Sequence, residues 1–399
     1  MKLSRLSIAV VVTGTICLTN SPSADAATSM ASGRSEDGLH VSVVVNGLNN
    51  PRHLSIGPDG ALYVALAGIG DPTKQNCVPL IGVSGAPTTG CVGRTGAIGR
   101  VAGHRVVTVL GGLESEQEQD NGEVAGPAAL TWVHGALGVI MQDTDLRADG
   151  SNGLPGGDEF GKGIIAGLHS PRSSWALFPD FAAFAAEHPQ VNAGGLPGES
   201  ATDSDPYGVT PYRGGWAVVD AAANSLLWVS PAGRLSILAR FPTFPEYVPA
   251  GVLGPTALTI QAQAVPTSVT VGPDGALFVG GLRGVPSLPG TADVYRIMPG
   301  HAPTVWATGF SSITDLAFDR HSRLLVLEYS VGGLLSPPTT PGALIRVNRN
   351  GTRTTLLSAG LSQPTGLAIG RNGAIYIANY GTSSGSATPS GQILELTSS

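Results

Sequence analysis

Apolar residues along this chain come in short paired runs of four or five, and a tight turn rich in Gly, Asp or Asn joins the members of each pair. The clearest pair, "PRHLSIGPDGALYVAL" from Pro51, returns near the other end as "PTGLAIGRNGAIYIAN" from Pro364. Four more copies lie between them: "PAALTWVHGALGVIMQ" from Pro127, "PYGVTPYRGGWAVVD" from Pro206, "PTSVTVGPDGALFVGG" from Pro266 and "ITDLAFDRHSRLLVLE" from Ile313. Runs this short, β-branched and broken by glycine favour strands over helices, and two of them around a tight turn form a β-hairpin. A second pair follows most copies, as in "SLLWVSPAGRLSILARF" from Ser225, "DVYRIMPGHAPTVWATGF" from Asp293 and "ALIRVNRNGTRTTLLSAGL" from Ala343. Two hairpins make a four-stranded antiparallel sheet, and six such sheets arranged radially make an all-β, six-bladed propeller.

The ends of the chain predict how the ring closes. The last copy holds only three strands, "TGLAI", "AIYIA" and "QILEL", so the sixth blade lacks an outer strand. The stretch "LHVSVVVNGLNNP" resembles the segments that precede other repeats, and Leu39–Val45 is expected to supply that strand. One helix is expected in an insertion, "PDFAAFAAEH" from Pro179, where Phe181, Phe184, Ala185 and His188 recur at helical spacing.

Composition agrees with this picture. Gly 56 and Pro 30 among 399 residues suit many turns and short strands, and 42% hydrophobic with 13% charged residues suits a large core. The net charge of -6 is spread without acidic or basic runs, which gives nucleic-acid binding no footprint. Lys2 and Arg5 precede the apolar run Leu6 to Leu18 and the small-residue stretch "ADA". Residues 1–26 are therefore expected to be a signal peptide cut after Ala26, residues 27–38 a flexible segment, and residues 39–399 the propeller of a secreted, monomeric protein without a membrane span. Outside the cytosol, Cys77 and Cys91 are expected to form a disulfide.

"GLNNPRHLSIGPDGALYVA", "FPDFAAFAAEHP" followed by "DSDPYGV", and "VPTSVTVGPDGALFVG" resemble the ScyD/ScyE family of secreted proteins, which are related to NHL-repeat propellers. The resemblance covers nearly all of the chain after the signal. It departs from the family pattern at Asp205, where Asn is usual before the third-repeat proline. It implies a secreted six-bladed propeller and brings no catalytic residues with it.

In a four-stranded blade, with strands a to d from the channel outward, the a–b and c–d turns share one face and the other connections share the opposite face. The first set is short here, as in "GPDG", "GRNG", "SPAG" and "NRNG", whereas Ala67 to Ile98, Asp143 to Gly161, Phe178 to Asp205, Pro242 to Val265, Leu282 to Ala292, Tyr329 to Gly342 and Tyr380 to Ser390 are long. Long loops on one side of a rigid scaffold predict that function lies on that face. Aligned positions at the ends of strand b, Gln142, Asp220, Glu328 and Asn379, offer oxygen ligands for a hard cation such as Ca²⁺, by fold-level analogy with gluconolactonase-type propellers. Asn50, His53, Asp205, Tyr207, Asp315 and Gln363 are expected beside them at the channel mouth. "DTDLRADGSNG" from Asp143 lacks the spacing of a calcium loop, and G-x-S-x-G, H-E-x-x-H and P-loop motifs are absent. The expected function is therefore binding of a small molecule, glycan or protein at the loop face. The alternative is a metal-dependent lactonase-like hydrolase, with Asp315 or His53 as base.

Overall fold

A computed structural model describes residues 32–34, 38–81, 87–119, 122–142, 158–167, 175–190, 201–250, 255–337, 339–382 and 389–398. All six repeats become the inner hairpins of six antiparallel blades. The innermost strands are Pro51–Ile56, Pro127–Val133, Pro206–Tyr212, Pro266–Val271, Ile313–Phe318 and Gly366–Ile369. The expected signal peptide lies outside the described residues.

Burial on both faces explains why the apolar runs are continuous. Along strand b of blade 5, Leu325 and Leu327 pack against blade 6, in one core with Leu367, Ile375, Ile377 and Leu394. Their neighbours Leu324 and Val326 point the other way, into a core with Ala276, Phe278 and Val294 of blade 4. A strand that alternates between two cores needs apolar residues at every position. The same arrangement joins blades 1 and 2, 2 and 3, 3 and 4, and 6 and 1, so the core is a ring of blade interfaces with no single centre. Burial fades outward: strand d of blade 4, Thr304–Phe310, is mostly exposed.

Closure follows the expected route. His40–Leu48 pairs with the final strand, Gly391–Thr397, and becomes strand d of blade 6. Val41 enters the core shared with blade 5, and Val45 and Leu48 enter the core shared with blade 1. Within the stretch expected to be flexible, Ser32–Arg34 adds a fifth strand by pairing with His40–Ser42.

The tight turns repeat one device. In blade 1 the Gly57 amide donates to Ala61 O and the Gly60 amide to Gly57 O, while Asp59 Oδ1 accepts from the Ala61 amide. Gly60 has φ +80°, a backbone region that favours glycine, and so explains the final residue of "GPDG". Blades 4 and 6 reproduce the turn with Asp274 and Asn372 as the acceptors.

Three insertions depart from the bare propeller. The helix is shorter than expected: Phe178, Pro179 and Asp180 still belong to the outer strand of blade 2, and the helix α1 runs Phe181–Glu187. Asp180 caps it by accepting from the Ala183 amide, and the fully buried Phe181 seals the blade 2–blade 3 core. The connection from Pro242 to Val265, expected as a plain loop, folds into its own hairpin, Thr243–Val248 with Leu258–Gln263. Its Glu246 pairs with Arg283 at 2.5 Å, and the Arg283 guanidinium covers the Phe244 ring at 3.3 Å. In blade 1, strands Pro87–Ala102 and Arg105–Glu118 pair with each other far beyond the sheet, and the first of them also pairs with Cys77–Ile81. Cys77 and Cys91 face each other in that register and form the disulfide. The loop of blade 2 is anchored to this extension by reciprocal bonds: the Glu114 amide donates to Glu159 Oε2, the Glu159 amide donates to Glu114 Oε2, and Arg94 bridges both carboxylates.

Two outcomes follow from this architecture. Val41→Asp should lower unfolding stability by about 3 kcal/mol or more, because it puts an unpaired charge into the closing strand, whereas Val305→Asp on the exposed strand of blade 4 should change it little. Denaturant unfolding of both variants checks this. Non-reducing peptide mapping should recover Cys77 and Cys91 in one linked pair, and replacing both with serine should cost up to about 3 kcal/mol.

Candidate functional site

The second residue of each repeat, at or just before the start of the inner strand, sets the character of the channel at the loop face. In blades 4, 5 and 6 it is threonine, and each hydroxyl donates to the first carbonyl of the next blade: Thr267 to Ile313 O at 2.6 Å, Thr314 to Pro364 O at 2.9 Å and Thr365 to Pro51 O at 2.7 Å. These bonds stitch half of the ring together at its axis. Blades 1, 2 and 3 have Arg52, Ala128 and Tyr207 at the same position, and the stitch is not repeated there.

A small cavity lies on that unstitched side. Arg52, Glu123, Gln142, Asp205, Tyr207 and Thr382 line it, and its volume of ≈ 10 Å³ is room for about one water-sized group. Arg52 is 3% exposed and is held across the ring, with Nη1 donating to Gly381 O at 2.9 Å and Nη2 to Val124 O at 2.6 Å. Its Nε, the Oε1 of Gln142 and the hydroxyl of Tyr207 are buried without hydrogen-bond partners. Burial raises the Tyr207 hydroxyl above its ordinary value, and the Arg52 charge works against the rise. Nearby, the Tyr329 hydroxyl shares a 2.7 Å bond with Thr382 and is pushed by burial up to about 12, so both phenols stay protonated at neutral pH.

Beside the cavity, Asp315 ties four blades together. Its Oδ1 accepts from the Ser268 hydroxyl at 3.1 Å and from the Leu316 amide, and its Oδ2 accepts from the Leu367 amide at 2.7 Å. His53 Nε2 stands 3.9 Å from the same Oδ2. Desolvation raises the Asp315 pKa, opposed by His53 and by the bonds it accepts. Ser268 donates to the carboxylate and not to the histidine, so the trio does not have the geometry of an activated nucleophile.

The expected metal ligands are placed differently from their sequence alignment. Gln142 reaches the cavity, but three residues at the same repeat position bind the backbone that leads into their own blade. Asp220 accepts from the Asp205 and Ala223 amides at 2.8 and 2.9 Å and from the Ser204 hydroxyl at 2.6 Å. Glu328 Oε1 accepts from the Ser311 amide at 2.7 Å. Asn379 accepts from the Ser362 amide and donates to Gly360 O. These three side chains thus each hold a separate connection. Among the described residues no group of three or more His, Cys, Asp or Glu side chains is arranged to hold a metal. Of the remaining candidates, Asp205 and Tyr207 line the cavity, whereas Asn50 and Gln363 occupy left-handed turns with φ 47° and 48° before their strands. Asn50 Nδ2 donates to Gly68 O, which fixes the blade 1 loop. Most of the blade 2 loop, residues 143–157 with "DTDLRADGSNG", lies outside the described residues.

Arg52, Glu123, Thr382 and Tyr329 were not singled out by the sequence reading. The signal that marks this side of the ring is a break in the pattern at the second residue of the repeat: Arg, Ala, Tyr, then three threonines.

No family model matches the chain, and no curated protein matches it. Solved structures do. A protein from Thermus thermophilus described as an oxidoreductase (glucose dehydrogenase) is similar over 90% of this chain and 100% of its own, with 17% identity and a TM-score of 0.51. A gluconolactonase from Xanthomonas campestris covers 92% of this chain and 93% of its own at 10% identity and a TM-score of 0.48. The PQQ-bound aldose sugar dehydrogenase from Streptomyces coelicolor covers 89% and 97% at 11% identity and a TM-score of 0.47. The class of protein is thus a six-bladed β-propeller, and at such identities the likeness extends to the fold alone.

The carboxyl of Glu328 gives this region a pH signature. Burial pushes it up to about 7, against the Ser311 amide and the Arg353 charge. The folded state holds this proton more tightly than the unfolded chain, with its ordinary value of 4.5. The resulting stability is complete below that ordinary value and is lost as pH rises through about 7. Glu328→Gln keeps the acceptor for Ser311, so its melting temperature relative to the parent should rise across this window. A constant offset between the two melting curves from acid to neutral pH would contradict the assignment.

Proposed function

We propose that this protein is a secreted, non-enzymatic binding propeller whose loop face holds a small polyhydroxylated molecule or a glycan end over the channel mouth. The observation that carries the reading is the set of buried, unpartnered polar atoms at one point: Arg52 Nε, Gln142 Oε1 and the Tyr207 hydroxyl. Two of these groups donate and two accept, counting the phenol in both roles, which matches a hydroxyl group that also does both. Leaving such atoms unsatisfied costs about 1–3 kcal/mol each, so one inserted polar group recovers much of that cost. The cavity admits only that single group, and the rest of the ligand lies against the long loops. The expected export signal and the resemblance to ScyD/ScyE proteins support a role outside the cell.

A metal-assisted lactonase is the weaker reading. Its ligand set draws on Asp220, Glu328 and Asn379, and at least one side-chain oxygen of each accepts a backbone amide.

The test is a screen of purified protein against a glycan array and soluble cell-wall fragments, followed by calorimetry. A ligand is expected, with Tyr207→Phe weakening it about 3- to 10-fold through one lost hydrogen bond while the melting temperature holds. Lactone hydrolysis that depends on added Ca²⁺ and disappears in Asp220→Ala would overturn the proposal.

A further inference from the structure

The face opposite the channel mouth carries a second feature, which belongs to none of the groups discussed so far. Between Arg320 and Arg371 the chain has six arginines and a single acidic residue, Glu328, although its overall net charge is -6. Glu328 ends strand b at the loop face, which leaves Asp319 as the one carboxylate that the two short turns of blade 5 bring to the opposite face. The a–b turn of blade 5, residues 319–323, and its c–d turn, residues 348–352, enclose an open depression of ≈ 650 Å³. Its lining is wholly polar and includes Arg320, His321, Arg323, Asn348, Arg349 and Thr352.

The arginines differ in what holds them. Arg323 is neutralised by Asp319, Nε to Oδ2 at 2.7 Å. Arg320 and Arg349 have no carboxylate within ion-pair distance among the described residues. Arg349 Nη2 donates to His321 O at 3.0 Å, and Arg320 Nε meets His321 Nε2 at 3.2 Å. Arg320 also lies flat along the blade 6 turn, where a side chain in place of Gly373 would stand 3.3 to 3.5 Å from it. Arg371, in that same blade 6 turn, repeats the arrangement on blade 1: it lies over Gly60 and donates to Pro58 O at 2.9 Å. Three guanidinium groups on one face are thus held in place by backbone carbonyls, the His321 ring and glycine surfaces. Each keeps its full charge and most of its five donors.

Positioned arginines with unspent donors are the side chains best suited to bidentate binding of a tetrahedral oxyanion. Asn348 and Thr352 add neutral hydrogen-bonding groups of the kind that pair with hydroxyls. We infer that this depression is a binding site for an anionic glycan bearing sulfate or phosphate esters. An open depression suits a group carried on a larger molecule better than a free ion. A single-stranded nucleic acid fits less well, because its bases need exposed aromatic platforms and the lining offers only His321.

The probe is a heparin oligosaccharide, compared with its desulfated form by calorimetry at low salt. The sulfated form should bind at least about tenfold more tightly, and Arg320→Ala with Arg349→Ala should remove that preference without moving the melting temperature. Tyr207→Phe at the opposite face should leave it intact, so failure here and failure of the channel-mouth reading are separable. Competition by inorganic phosphate but not sulfate would identify phosphate esters as the group bound, and the reverse would identify sulfate. Equal binding of sulfated and desulfated forms, unchanged binding by the double variant, or tighter binding of single-stranded RNA than of heparin would each overturn the inference.

Discussion

Each blade is apolar on both faces of its inner strands, and neighbouring blades cover those faces. That constraint governs the rest. A blade standing alone would expose two hydrophobic surfaces, so the array has to continue until its last member meets its first. Closure requires a strand from the start of the chain, and Val41, Val45 and Leu48 place that strand in the cores on both sides of blade 6. The threonine stitch at the axis and the arginines lying over neighbouring turns are smaller versions of the same dependence of each blade on the next.

The ring also explains where chemistry is possible. Interior positions are fixed by packing, and strand-end carboxylates are consumed in holding the connections, as Asp220 and Glu328 show. What remains is the point where the repeat changes its own rule. Arg52 and Tyr207 replace the stitching threonine, and buried polar atoms without partners collect there. Departure from an internal repeat is a more selective marker of a site than polarity at a strand end, because a polar strand end commonly serves a turn.

How much could be read in advance follows the same division. Blade number, strand order, ring closure and the disulfide depend on periodic runs, turn residues and spacing, all of which are local. The helix start was displaced because Pro179 and Asp180 extend the outer strand before the chain turns. The hairpin Thr243–Val248 with Leu258–Gln263 went unread because its stability comes from contacts outside itself, notably Glu246 with Arg283. Asp220, Glu328 and Asn379 align with one another, yet alignment does not reveal whether a side-chain oxygen faces an ion or an amide. The basic face was hidden for a simpler reason: arginines 320, 349 and 371 are scattered in sequence and gather only when turns of adjacent blades come together.

The closing strand has one more consequence. Thr397, at the end of the last strand, pairs with His40, at the start of strand d, on the short-turn side of blade 6. In blades 1, 3, 4 and 5 a c–d turn occupies that place. Topologically the chain is therefore a circle cut at one turn. A short linker joining these ends would complete a sixth c–d turn, and new ends opened at the exposed turn of another blade would yield a circular permutant with the same six interfaces.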